Sequence, residues 1–184
     1  EEAAFGDPGS LFAPQEEISL DDLADAKSLN SDFYTDKTVA VHVVLDGKTP
    51  FRTIETAYLS NGDTIVKTNV TKAVLPVLQG AKAIVTTQTK ELIEALGDES
   101  PAEISLFNND NTARIHDMSL LAYLLDPTRT NYGYLYLTER FSVPSIASGS
   151  VDVECVSMVK ALLAMNDVAC ESARREELWS LYET

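Results

Sequence analysis

Basic residues are scarce in this chain. Lys and Arg total 14 against 29 Asp and Glu, a formal net charge of -15 over 184 residues. Affinity for nucleic acid rests largely on cations that neutralise phosphates, and no Lys/Arg cluster offsets the acidic balance. The composition argues against direct binding of DNA or RNA and for a solvated acidic surface. Cysteine is scarce too. Cys155 and Cys170 both fall in helical sequence with no Cys or His neighbour at metal-ligand spacing. They read as free thiols of a reducing compartment, not as a disulfide or a zinc site. No apolar run reaches membrane-spanning length, and no charged-then-apolar leader opens the chain. A cytoplasmic, monomeric domain without membrane contact is the expectation. Gly-rich phosphate loops, Gly-x-Ser-x-Gly and paired-Cys zinc motifs are all missing.

What is present suits a packed core. Hydrophobic residues make up 45% of the chain, which excludes general disorder. Residues 1–35 read as an acidic linker from an upstream module, with breakers in "GDPGS" and "APQEE" and a short helix through "LDDLADA" capped by Ser19. Residues 36–184 read as one domain. The non-Met start at Glu1 and the helical ending "EELWSLYET" suggest a segment of a longer protein.

In "KTVAVHVVLDG", Val39, Val41, Val43 and Leu45 share one face while Ala40, His42 and Val44 share the other. Both faces are mostly apolar, so this strand should be covered on both sides. "FRTIETAYLS" and "DTIVKT" flank Asn61-Gly62, a strong hairpin signal. A helix follows in "TKAVLPVLQG", with Pro76 tolerated only near its start or at a kink. Then come a strand in "KAIVTT", a helix in "TKELIEALG" and a strand in "AEISLFN". The rest is helical: "DMSLLAYLLDP" with Leu120, Leu121, Leu124 and Leu125 as its buried stripe, "YGYLYLTERF", a long helix from Val151, and a last helix carrying Leu178, Trp179, Leu181 and Tyr182. This order predicts an α/β layer fold whose mixed sheet has three antiparallel strands plus parallel additions, with flanking helices.

That order resembles the ribonuclease H-like fold. Within it, "DMSLLAYLLDPTRT" (Asp117 to Thr130) resembles the signature helix of the 3′–5′ exonuclease domain in bacterial family A DNA polymerases (DNA polymerase I). "YGYLYLTERF" is similar to the helix that follows there, and "KAIVTTQTKELIEAL" to the strand and helix of the second catalytic motif. Active members cut phosphodiesters with two metal ions held by four carboxylates, with a Tyr that orients the water.

The resemblance places each motif on this chain. In Asp-x-Glu, His42 takes the Asp position and Val44 the Glu position; Asp46 shares their face but sits in a turn, "LDGK". In Asn-x-x-x-Asp, Gln88 keeps an amide and Leu92 loses the carboxylate. In Tyr-x-x-x-Asp, the pairs are Leu162 with Asn166 or Leu163 with Asp167; either way the Tyr is lost, and of the four carboxylates only Asp167, in the second pairing, is kept. His42, Val44, Gln88, Leu92 and Asp167 are therefore read as vestigial positions that hold no metal or other cofactor. His116 reads as a surface or capping residue. Some family members, thermophilic ones included, show the same erosion.

The resemblance thus implies an inactive scaffold domain. Its partners would be the polymerase and amino-terminal nuclease modules of the same parent chain, and it would meet DNA only through them. Two alternatives stand beside it. One is an active nuclease with relocated ligands among Asp46, Asp110, Asp117 and Asp167. The other is an acidic protein-interaction module.

Overall fold

The computed structural model describes residues 18–21, 23–49, 52–97 and 114–178. Among these residues six strands form one sheet: β1 (Leu23–Ala24), β2 (Thr38–Asp46), β3 (Thr53–Ser60), β4 (Ile65–Thr68), β5 (Ala83–Thr86) and β6 (Arg114–Asp117). The helices are α1 (Ser31–Tyr34), α2 (Thr71–Gly80), α3 (Thr89–Gly97), α4 (Met118–Leu125), α5 (Tyr134–Arg140) and α6 (Val151–Arg175). The spatial order β1-β4-β3-β2-β5-β6 makes the sheet mixed. β2, β3 and β4 run as an antiparallel meander, whereas β5 and β6 add to β2 in parallel.

β2 is the axis of the fold because strand alternation sends its side chains into two separate cores. Val39, Val41 and Val43 pack with Val74, Val77 and Leu96, the buried faces of α2 and α3. Ala40 packs on the opposite side with Tyr58, Val85, Met118 and Leu121 and with the inner stripe of α6, from Cys155 through Val159 and Leu162 to Ala169. The reversal between β3 and β4 is a four-residue loop, not a two-residue turn. The Asn61 side-chain oxygen accepts from the Asp63 and Thr64 amides at 3.0 and 2.9 Å, and Gly62 takes φ +95°, where a side chain would be strained.

Several expectations need correction. Residues 23–24 are a strand, not part of a helix, and they pair in parallel with β4. Ser19 caps only a local turn, through the Asp21 amide, and Ile18, Leu20 and Leu23 pack against the α6-side core. Two consecutive residues carry no periodicity, so sequence alone could not reveal this strand. Pro76 lies in the middle of α2. His116 is a strand residue of β6, immediately ahead of α4. In α4 Leu121 is buried, but Leu120 is 49% exposed, because Met118 and Ala122 complete the inward face instead. The strand expected in "AEISLFN" and the helix from Trp179 onward lie outside the described residues.

One polar contact fixes α6 across the sheet. Asp152, in the first turn of the helix, receives the Lys67 ammonium at 2.7 and 2.9 Å and a hydrogen bond from the buried Tyr58 hydroxyl. These bonds, led by that from Lys67, hold the Asp152 carboxyl below the ordinary carboxylate range. A carboxylate there also suits the positive end of the helix dipole. Because its folded-state pKa is lowered, Asp152 contributes fully above the ordinary carboxylate range, and the contribution fades as pH falls through it. Asp152→Ala leaves a buried hydroxyl without its partner and should cost about 1–2 kcal/mol by urea unfolding at neutral pH. The half-exposed Lys67 should cost less than about 1 kcal/mol on truncation. Equal costs for the two would show that the Tyr58 bond contributes nothing.

Candidate functional site

Val41 and Val43 point to the α2/α3 core, so the alternate residues His42 and Val44 face the α5/α6 side. His42 lies opposite Tyr58 on β3, and Val44 lies opposite Thr56. The strand register shifts just after Val44. His42 is half-buried. Its Nδ1 lies 3.2 Å from the Tyr134 hydroxyl, and the two rings meet edge-on with centroids 5.9 Å apart. The Thr87 hydroxyl donates to the Tyr134 oxygen at 3.3 Å. A neutral ring with its proton on Nε2 completes the chain Thr87 to Tyr134 to His42. Burial pushes His42 down to about 4, which keeps the imidazole uncharged at neutral pH. Burial likewise raises the Tyr134 phenol well above its ordinary value.

Gln88 has a different task. Its Nε2 donates to the Val43 carbonyl at 3.0 Å, and its Oε1 accepts from the Val43 amide at 2.8 Å. Pairing of β2 with β5 ends at Ala40 opposite Val85. Beyond that point β2 continues alone on this side, and the Gln88 amide supplies the donor and acceptor that a strand backbone would have offered. Leu92 is buried in the α2/α3 core, on the other side of the sheet from His42 and Val44.

The carboxylates considered as relocated ligands are scattered. Asp46 is exposed at the end of β2, with its Oδ1 accepting from the Gly47 amide at 2.7 Å. Asp117 caps α4 by accepting from the Ser119 and Leu120 amides at 2.9 and 3.1 Å. Asp167 lines a groove with Thr38, at the opposite end of β2. A nine-residue strand spans about 26 Å, whereas the ions of a two-metal site stand about 4 Å apart. Asp46 and Asp167 cannot serve one such site. Asp110 lies outside the described residues. Leu162 is fully buried in the α6-side core, and its partner Asn166 bonds His116 Nδ1 at 2.7 Å.

A magnesium-type site needs several oxygen donors in one place. The carboxyl-terminal half of β2 presents imidazole, isopropyl and an amide already committed to backbone. Among the described residues no three His, Cys, Asp or Glu side chains gather as metal ligands. The described residues do not fit the metal pair of the exonucleases.

Of the five positions read from the sequence, the structure brings His42, Val44 and Gln88 together along β2 but leaves Leu92 across the sheet and Asp167 at the far end of the strand. Tyr134 and Thr87 around His42, and the Lys67–Asp152–Tyr58 group, carry no local signal. His116 is a half-buried, hydrogen-bonded strand residue and not a cap, and Cys170 Sγ sits 3.7 Å from its Nδ1. Both cysteines are buried free thiols, as expected, and burial pushes each up to about 11, so neither is an activated nucleophile.

Two measurements check this geometry. Gln88→Ala strips two partners from the Val43 backbone and should cost about 2 kcal/mol, with faster hydrogen exchange at the Val43 amide. Unchanged exchange there would contradict the clamp. For His42, the unfolded chain takes up a proton near 6.5 that the folded chain refuses until about 4. Stability is therefore full above pH 6.5 and declines through that window. Between pH 7 and 5 wild type should lose on the order of 1 kcal/mol more than His42→Gln.

Comparison with known proteins comes through structure. Neither a protein-family model nor a curated protein sequence matches the chain. The Nibbler EXO domain of Aedes aegypti aligns at TM-score 0.64 and 10% identity, over 90% of this chain and 95% of that one. Brucella melitensis NrnC bound to pGG aligns at 0.60 and 16%, over 83% and 80%. The POL domain of Pol1 from M. smegmatis, in complex with DNA primer-template and dNTP, aligns at 0.64 and 18%, over 85% of this chain but 27% of that one. Together with the mixed six-stranded sheet and its flanking helices, these similarities establish the ribonuclease H-like fold of 3′–5′ exonucleases.

Proposed function

We propose that this chain is a catalytically inactive 3′–5′ exonuclease-like domain, a structural scaffold within a DNA polymerase I of replication and repair. Residues 1–35 would tether it to an amino-terminal nuclease module, and a polymerase module would follow it. The domain would act in the cytoplasm and meet DNA only through those modules. The observation that carries the reading is the end of β2. His42 is hydrogen-bonded to Tyr134, and Gln88 is spent on the Val43 backbone, where a nuclease would gather carboxylates. The polymerase assignment rests on the resemblance of Asp117–Thr130 to the family A signature helix, and the Pol1 neighbour is in keeping with it. The net charge of -15 also suits a domain that does not itself grip a nucleic-acid strand.

A second reading, an active exonuclease, draws on the other neighbours. One is described as Brucella melitensis NrnC with bound Mg2+, another as E. coli RNase D, an exoribonuclease. The chain incubated with single-stranded DNA or RNA and Mn2+ separates the two. The scaffold reading expects no degradation and no calorimetric signal for a pair of Mn2+ ions. Metal-dependent cleavage that disappears in Asp46→Ala or Asp167→Ala would establish the nuclease and overturn the scaffold. Rebuilding Asp-x-Glu by His42→Asp with Val44→Glu should lower stability by several kcal/mol, because each new carboxylate is desolvated without a cation. Thermal unfolding with and without Mn2+ reads that outcome.

A further inference from the structure

We draw no further inference here: the strongest candidate, the open groove of about 770 Å3 beside the carboxyl-terminal half of α6 where His116, Asn166 and Cys170 meet, carries nothing, because its buried polar atoms bond one another and no metal-ligand cluster forms among the described residues.

Discussion

The fold depends on a strand that has no free face. β2 pairs with β3 on one edge and β5 on the other, while its side chains fill one core at Val39, Val41 and Val43 and a second at Ala40. A position on such a strand holds a charge only if a counter-charge or metal compensates the lost hydration. Where no ion compensates, neutral groups are the stable occupants. His42 meets the condition by staying unprotonated, and Val44 meets it by being hydrocarbon. The same burial that makes β2 a sound axis favours uncharged side chains at His42 and Val44.

The helices follow from this arrangement. α6 crosses the α5/α6 side with an apolar stripe that includes Cys155, Val159, Leu162, Met165 and Ala169, and its first turn is tied to β3 and β4 through Asp152. α4 and α5 pack on the same core, and beside them Tyr123, Tyr132 and Tyr136 stack edge-on and Arg129 lies over the Tyr136 ring. Among the described residues no helix is long and apolar enough to cross a membrane.

Local physics made part of this legible. Alternation in "TVAVHVVLD" predicted a strand covered on both sides, and a long helix from Val151 was expected where α6 runs. The shared face of His42 and Val44 was visible once that strand was in register, because the two are two residues apart. What stayed hidden was short or distant. β1 has two residues, and β6 has four with Ile115 as its single apolar member, so neither shows a period. His42 and Tyr134 are 92 positions apart, and Tyr58 and Asp152 are 94. No window of sequence contains both members of either pair. Leu120 misled for another reason: four leucines at helical spacing suggested a stripe, but Met118 and Ala122 had already filled the inward face.

The Gln88 clamp bears on how such sequences are scored. An amide at that position looks like half of a surviving catalytic pair. Here it acts as a plug for an open sheet edge, and the plug is needed whether or not chemistry ever happens nearby. Persistence of Asn or Gln there would report on architecture, and a motif count that credits it to activity would mistake carpentry for an engine.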